Sequence, residues 1–235
     1  MGLPRRHSPS SYALSGRELA LPDEPLEPFG PAAFQAASSV SRETLARLKL
    51  YVSLLEDWNA RLNLVSAASL RNVWRRHIWD CAQLQAYIPE SAESLVDLGA
   101  GAGFPGLVLA IILRPSLRIV LYEAISKKCR FLEEVAARTA LHVEIRNARI
   151  ERARPEPFDI VTARACAPLS QLLAYAQPFQ GKQTRNLFLK GQSVGAELTE
   201  AHKSWKMNIR QHPSCSDPSG TILEIGELRR GAIRP

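Results

Sequence analysis

The N-terminal third of the chain carries apolar residues at helical spacing. Beginning at Ser41, one stripe takes in the following residues, with Asn59 in the same series: Leu45, Leu48, Val52, Leu55 and Leu62. A stripe that recurs every three or four positions is typical of an amphipathic α-helix with one buried face. The pattern therefore predicts a helix of roughly Ser41 to Asn59.

A second stretch of helical spacing runs from about Ser69 to Tyr87. Its inward positions are Val73, Trp74, Ile78 and Cys81. Arg71 and Arg75 stand four positions apart, so on a continuous α-helix they share an outer face. The two stretches together predict an N-terminal helical cap, residues 36–90, that exposes positive charge.

Beyond Ser91 the pattern changes to short apolar runs that alternate with helical periods. Six runs are predicted to be strands: Leu95–Leu98, Ile119–Tyr122, Val143–Ile145, Ile160–Thr162, Leu187–Leu189 and Ile222–Ile225. Alternation of this kind predicts a mostly parallel sheet with helices on both faces. We therefore expect a doubly wound α/β domain over residues 91–235.

The first 35 residues differ in composition from the rest of the chain. They contain six prolines together with Ser and Arg: Pro4, Pro9, Pro22, Pro25, Pro28 and Pro31. This density predicts a flexible arm over residues 1–35. Its first seventeen residues carry three arginines and no acid, so an organelle transit peptide is the alternative interpretation.

Composition narrows the class of partner and the setting. A net charge of +7 and a pI near 9.5 favour an anionic partner, although solvated basic faces give the same balance. The four cysteines form no C-x-x-C pair, so neither a metal site nor a disulfide framework is expected. The longest apolar run, Leu107 to Leu113, is too short to cross a bilayer. We expect a cytoplasmic protein, without metal or membrane association.

The most specific segment is a strand, a glycine turn and a helix in direct succession. Asp97 lies in the strand, and Gly99, Gly101 and Gly103 follow it before the apolar helix. Glycines permit positive φ and close approach of a ligand to the backbone. In doubly wound sheets such a turn at the carboxyl end of a strand binds a nucleotide-like ligand.

Two carboxylates bear on the identity of that ligand. Glu123 ends the next strand, where an acid accepts hydrogen bonds from two ribose hydroxyls. Asp97 repels a pyrophosphate but attracts the cationic amino acid part of S-adenosylmethionine. The segment Gly101–Gly106 also satisfies G-x-G-x-x-G, so a nicotinamide dinucleotide remains open at this point.

Several separated motifs resemble one known family, the bacterial 16S rRNA guanine-N7 methyltransferases called RsmG or glucose-inhibited division protein B. The resemblance spans roughly Leu45 to Gly226. Its motifs are Asn59 to Val65, Arg76 to Asp80, Val96 to Gly106, Lys127 to Leu132, Thr162 to Ala165 and Leu189 to Gly191. Two segments depart from the family pattern, Ala124-Ile125 after the acid and Ser204 to Ser219.

The resemblance implies a class I S-adenosylmethionine-dependent methyltransferase with a Rossmann-like sheet. The cofactor contacts that it implies are Gly99, Phe104, Ile150, Glu151 and Arg164, with Glu123 in the ribose-binding position. The implied partner is 16S rRNA or the 30S ribosomal particle, and the implied product is a guanine methylated at N7. Guanine N7 carries an unshared electron pair, so no general base is expected and Arg164 is a candidate for positioning. We expect a monomer.

Basic residues at the same sheet edge and on the cap are candidates for contacts to RNA phosphates. They are Lys127, Lys128, Arg130, Lys190, Arg71 and Arg75. His77 and Asp80, three apart, are expected to orient one another beneath the glycine loop. Two other functions stay open from the residues alone, an NAD-dependent dehydrogenase and a non-catalytic RNA-binding ribosome-assembly factor.

Overall fold

The computed structural model describes residues 29–231 of the chain. The strands are β1 (Ser94–Leu98), β2 (Arg118–Glu123), β3 (Val143–Asn147), β4 (Phe158–Arg164), β5 (Gln180–Lys190), β6 (Trp205–Pro213) and β7 (Thr221–Arg230). The α-helices are α1 (Pro31–Ser38), α2 (Arg42–Leu62), α3 (Ala67–Arg71), α4 (Asp80–Ala82), α5 (Gly106–Ile112), α6 (Ser126–Arg138), α7 (Leu169–Ala176) and α8 (Val194–Ala201).

The seven strands form one sheet in the order β3-β2-β1-β4-β5-β7-β6. Strands β1 to β5 are parallel to one another, and β7 runs antiparallel to both of its neighbours, β5 and β6. The predicted mostly parallel sheet is confirmed, and each predicted apolar run lies in a strand. The pattern missed β6, because after the buried Trp205 this edge strand mixes half-buried with exposed residues and contains no apolar run.

Alternate side chains of the strands pack into two hydrophobic cores, one on each face of the sheet. Leu95 and Ile119 face the cap together with α5 and α6, while Val96 and Val120 face α7 and α8. Helices therefore cover both faces, as expected for parallel strands that are buried on both sides. The cap shares its core with the sheet.

The helix predicted for roughly Ser41 to Asn59 extends beyond its predicted end, as far as the last apolar residue of the stripe, Leu62. Ser41 caps α2, its hydroxyl accepting from the Thr44 amide, and the helix continues to Leu62 before Asn63 turns to a left-handed conformation. Leu48 and Leu55 are fully buried, in agreement with the predicted stripe.

The stretch predicted to be helical from about Ser69 to Tyr87 is helical over nearly its whole length, but it is not one regular α-helix. The chain forms α3, a π-helical segment at Trp74–Trp79, the short α4 and a 3-10 segment at Gln83–Tyr87. A π-helical segment rotates the following side chains relative to a regular α-helix. Arg71 is exposed, but Arg75 is half-buried and its Nε donates to the Ser216 carbonyl at 3.1 Å. The two arginines therefore do not share one outer face.

The N-terminal arm ends earlier than the proline density predicts. Residues 1–28, on which most of that prediction falls, lie outside the described residues, but α1 already begins at Pro31. Phe34 is fully buried, with its ring centroid 5.7 Å from that of Trp74 and 6.0 Å from that of Trp79. One aromatic anchor thus docks a segment whose composition is otherwise typical of an arm.

We predict that Phe34→Ala lowers the free energy of unfolding by about 3–5 kcal/mol, because it leaves a cavity among aromatic side chains. Urea unfolding followed by tryptophan fluorescence measures the change. Ala36→Gln, at an exposed position of the same helix, is the control and should stay within about 0.5 kcal/mol of the wild type. Equal stability of the two variants would contradict the docking of α1.

Candidate functional site

The glycine turn between β1 and α5 is built on positive φ angles. These are +69° at Gly99, +59° at Gly101 and +91° at Gly103. A Cβ at Gly99 would lie 2.7 Å from the Cys166 Sγ, and one at Gly103 would lie 2.5 Å from a Leu107 methyl carbon. Gly101 has room for a Cβ, so its requirement comes from φ alone.

Tyr51 joins the cap to this turn. Its buried hydroxyl donates to the Ala102 carbonyl, and its ring lies 5.5 Å from that of Phe104. Tyr51 was not among the residues predicted for the site, although it follows Leu48 by three positions and so continues the buried stripe. The cap therefore supports the turn through a specific hydrogen bond as well as through apolar packing.

Asp97 lies beneath the turn and is fully buried. Its Oδ2 accepts from the Gly106 amide at 3.0 Å, and its Oδ1 accepts from the Thr162 hydroxyl at 2.9 Å. Burial raises the pKa of Asp97 to about 7, against the opposing effect of these two hydrogen bonds. The carboxyl group thus fixes the start of α5 against β4, while its predicted attraction for a cationic ligand stays a prediction.

Glu123 ends β2 beside the turn and is 6% exposed. Its Oε2 accepts from the Gly101 amide at 2.9 Å, and its Oε1 accepts from the Ile125 amide at 2.7 Å. Each carboxylate oxygen has a further lone pair, so these bonds leave capacity for two donors. Ile125, half-exposed at the same edge, adds an apolar surface that was not predicted for the site.

Phe104 lies between groups from the cap and the sheet. The His77 ring stacks on it with a centroid distance of 4.7 Å and an angle of 12°, and the Arg164 Cζ lies 4.7 Å from its centroid. Burial, and to a lesser extent Arg164 and Arg76, lowers the pKa of His77 to about 3. The imidazole is therefore uncharged at neutral pH.

The expected pairing of His77 with Asp80 is wrong. Both ring nitrogens of His77 are buried and have no hydrogen-bond partner among residues 29–231. Asp80 instead lies 3.4 Å from the Arg164 Nη1, which also donates to the Arg76 carbonyl at 3.0 Å. The π-helical segment turns His77 toward Phe104 and separates it from Asp80.

A cleft of about 470 Å³ opens beyond the carboxyl ends of β4 and β5. The cap and the loop between β6 and β7 form its other walls. Lys190 lines it, with its Nζ 2.6 Å from the Glu197 Oε2 and donating to the Ala167 carbonyl at 3.2 Å. An ion pair thus holds the ammonium group that was predicted to contact RNA, and the contact itself stays a prediction.

The remaining predicted residues lie around the same sheet edge. Ile150 is buried and Glu151 is exposed in a 3-10 turn after β3, and the Tyr175 hydroxyl donates to Glu151. Lys127 and Arg130 are exposed at the start of α6. The structure therefore gathers the glycine turn, Glu123, Phe104 and Arg164 at one edge, with the basic start of α6 beside them.

Within residues 29–231 no group of three or more His, Cys, Asp or Glu side chains is arranged to hold a metal ion. The same part of the chain contains no helix with the length and apolar character needed to span a membrane.

Comparison with solved structures identifies the fold. A SAM-dependent methyltransferase from Aquifex aeolicus superposes with a TM-score of 0.52 at 12% identity, over 65% of this chain and 92% of that one. The mitomycin 7-O-methyltransferase superposes with a TM-score of 0.53 at 17% identity, over 90% of this chain and 74% of that one. The chain has the class I fold of S-adenosylmethionine-dependent methyltransferases, with an N-terminal helical cap.

Sequence comparison then gives the family. Residues 44–221 match the GidB family, described as rRNA small subunit methyltransferase G. The chain is 48% identical over 200 residues to ribosomal RNA small subunit methyltransferase G of Rhodospirillum rubrum, covering 85% of this chain and 98% of that protein. The Paramagnetospirillum magneticum protein of the same name is 46% identical over 207 residues, covering 88% and 100%. The chain belongs to the rRNA small subunit methyltransferase G family.

The raised pKa of the buried Asp97 predicts how the stability of the folded chain changes with pH. Its pKa in the folded chain exceeds the ordinary value of 3.8, so the stabilisation that its neutral form provides is complete below that value and is lost as pH rises through about 7. Asp97→Asn keeps a neutral side chain, so it should lose less stability than the wild type between about pH 4 and 7. The wild type should lose about 1.4 kcal/mol more than the variant for each unit by which the pKa of Asp97 in the folded chain exceeds its ordinary value.

Urea unfolding at several pH values measures this difference. Asp159→Asn is a comparison with the opposite sign, since hydrogen bonds from Glu93 and Ser94 outweigh burial and lower the pKa of Asp159. Parallel stability curves for the wild type and Asp97→Asn would contradict the raised pKa.

Proposed function

We propose that this chain transfers a methyl group from S-adenosylmethionine to N7 of a guanine in 16S rRNA. The observation that carries the proposal is the family match, combined with a glycine turn and an acid at the end of β2 in one site. Membership of the family disfavours the NAD-dependent dehydrogenase that the glycine pattern left open. A non-catalytic assembly factor is the remaining alternative, and a methylation assay separates it from an enzyme.

The residues present fit S-adenosylmethionine. Gly99 and Phe104 would border it at the turn, Glu123 has lone pairs for its ribose hydroxyls, and Ile125 offers an apolar surface for its adenine. Ile150, Glu151 and Arg164 are the further contacts that the family resemblance implies. When bound, the cofactor supplies an electrophilic methyl group on a sulfonium.

The protein's contribution to the reaction would be positioning. Guanine N7 has an unshared electron pair, so no proton has to be removed before methylation. Holding the base in line with the methyl group can contribute about 7–11 kcal/mol to lowering the barrier. Phe104 and the uncharged His77 stack on one another, and Arg164 lies over the Phe104 ring. His77 and Arg164 both line the cleft. These groups orient the reactants without acting as a general base.

Contacts to RNA would involve the basic start of α6, defined by Lys127, Lys128 and Arg130. It begins three residues after Glu123, so it lies at the same edge as the proposed cofactor site. The net charge of +7 favours association with a polyanion. Arg71 on the cap is exposed and belongs to the same proposal, whereas Arg75 is partly engaged by Ser216. We propose that a monomer acts on 16S rRNA or the 30S particle in the cytoplasm.

A methylation assay tests the proposed function. Purified protein is incubated with 30S particles and radiolabelled S-adenosylmethionine, and N7-methylguanine is located by borohydride reduction and aniline cleavage of the 16S rRNA. We expect one modified guanine. A protein that binds the particles without methylating any rRNA base would instead support the assembly-factor alternative.

Glu123→Ala should weaken binding of S-adenosylhomocysteine, because two ribose hydroxyls lose a charged acceptor at about 1.5–3 kcal/mol each. Isothermal titration calorimetry measures the change. Glu133→Ala, an exposed glutamate on α6, is the matched control and should bind as the wild type does. Unaltered affinity in a folded Glu123→Ala protein would remove Glu123 from the site.

Replacing Lys127, Lys128 and Arg130 with Gln should weaken RNA binding and flatten its dependence on salt. Removing each cation that neutralises a phosphate should lower the slope of log K against log salt by about 0.7–0.9. Binding of S-adenosylhomocysteine should be unchanged.

Filter binding of 16S rRNA at several salt concentrations measures that slope. The charge-matched control replaces Arg138, Arg154 and Lys182, which are exposed and lie at the opposite edge of the sheet. An equal change of slope in both triple variants would indicate that only net charge matters.

A further inference from the structure

The cleft beyond β4 and β5 contains three acids, and they differ in how their oxygens are used. Both oxygens of Glu197 are engaged: its Oε2 accepts from the Leu169 amide at 2.7 Å and lies 2.6 Å from the Lys190 Nζ. Its Oε1 accepts from the Ser193 hydroxyl at 2.6 Å. Glu197 therefore stabilises the wall of the cleft, and few of its lone pairs are left to accept hydrogen bonds from a ligand.

Asp217 lies at the rim of the cleft and is anchored through one of its two oxygens. Its Oδ1 accepts from both the amide and the hydroxyl of Ser219, and its Oδ2 lies 3.7 Å from the Arg76 Nη1. Its side chain is 36% exposed, so water competes for it. Asp217 is best explained as a turn residue of the loop between β6 and β7.

Asp80 differs from Glu197 in having one oxygen with free lone pairs, and from Asp217 in being half as exposed to water. Its Oδ1 is anchored, accepting from the Ser216 hydroxyl at 2.6 Å and from the Gln83 Nε2 at 3.1 Å. Its Oδ2 has a single contact among the described residues, a long one of 3.4 Å to the Arg164 Nη1. The side chain is 18% exposed and lines the cleft. One oxygen is thus held in place while the other keeps free lone pairs in a partly desolvated position.

His77 gives an independent sign of unused polar capacity beside Asp80. It lines the same cleft, is 8% exposed, and leaves both ring nitrogens without a partner among residues 29–231. Buried polar atoms are nearly always hydrogen-bonded, so an exception calls for an explanation. Its position borders Phe104, which connects the cleft to the glycine turn.

A site that selects guanine has to distinguish it from adenine, the other purine of RNA. Both adenine and guanine carry an unshared pair at N7, so reactivity at N7 does not distinguish them. Guanine differs by its exocyclic N2 amino group, which donates hydrogen bonds at a position where adenine has none. A fixed carboxylate oxygen accepts from that group, and it would be left without a donor if adenine entered.

We propose that the cleft receives the target base and that Asp80 determines its identity, with the free Oδ2 accepting from the N2 amino group of guanine. This proposal rests on the proposed function and extends it from the methyl acceptor atom to the opposite edge of the base. The anchor through Ser216 and Gln83 holds the carboxylate in place before the base arrives. Asp80 is a specificity residue and takes no proton from N7.

Replacement of the target guanine with inosine tests the contact, because inosine lacks only the N2 amino group. The 16S rRNA is assembled by ligation with a synthetic oligonucleotide carrying either base, reconstituted into 30S particles and methylated under single-turnover conditions. For the wild type we expect methylation of inosine to be about 10- to 100-fold slower, as for loss of one hydrogen bond to a charged group. A wild type that methylates both bases equally would overturn the proposal.

In Asp80→Asn the rate on guanine should fall and the guanine-to-inosine ratio should shrink to within about threefold, by removal of that charged acceptor. Glu197→Gln, the matched control in the same cleft, should keep the wild-type ratio. Ser216→Ala, which removes the shorter of the two anchoring hydrogen bonds but keeps the carboxylate, should give an intermediate ratio and serves as a second variant. Binding of S-adenosylhomocysteine checks that each variant retains the adjoining site.

The ratio separates failure of the Asp80 contact from failure of the proposed function. A wild-type ratio in both Asp80→Asn and Ser216→Ala, with guanine still methylated, would overturn the role of Asp80 and leave the proposed function intact. Loss of discrimination in Glu197→Gln alone would assign the base contact to Glu197 instead. A wild type that methylates no guanine while binding S-adenosylhomocysteine would contradict the proposed function itself.

Discussion

The site depends on one buried carboxyl group at the point where two strands and a helix meet. Asp97 binds the first amide of α5 and the Thr162 hydroxyl on β4, so it sets the distance between the glycine turn and the neighbouring strand. Gly106 is required there because a Cβ would lie 2.7 Å from the Asp97 Oδ2 and 2.3 Å from a Leu121 methyl carbon. The backbone of the turn, on which cofactor binding would depend, takes its geometry from this contact.

The cap is part of the site and does not merely cover the sheet. Tyr51 donates a hydrogen bond to the glycine turn, His77 stacks on Phe104, and Asp80 forms an ion pair with Arg164 of β4. These three cap residues come from two different elements, α2 and the irregular stretch that follows it. In the proposed enzyme the domain with the doubly wound sheet would hold the cofactor, and the cap would complete the place for the base.

Sequence patterns were sufficient for six of the seven strands and for placing Asp97 and Glu123 beside the glycine turn, since strands buried on both faces leave continuous apolar runs and glycines at positive φ have few substitutes. They failed where tertiary contacts override local preference. The π-helical segment at Trp74–Trp79 packs against Phe34 and Phe104, and its departure from α-helical geometry is why the periodicity did not predict the surroundings of Arg75 and His77. The edge strand β6 lacked an apolar run, and Phe34 was hidden among prolines.

The loop between β6 and β7 returns across the molecule to the cap, and this connection has a consequence for biosynthesis. Ser216 forms hydrogen bonds with Asp80, 136 residues earlier in the chain, and with Arg75, 141 residues earlier, so neither contact can form until Ser216 has been synthesised. Contacts of such long sequence separation form slowly and late. The residues of the glycine turn, β1 and β2 are synthesised well before this loop, so the ability to select a base would mature only after the loop has been made.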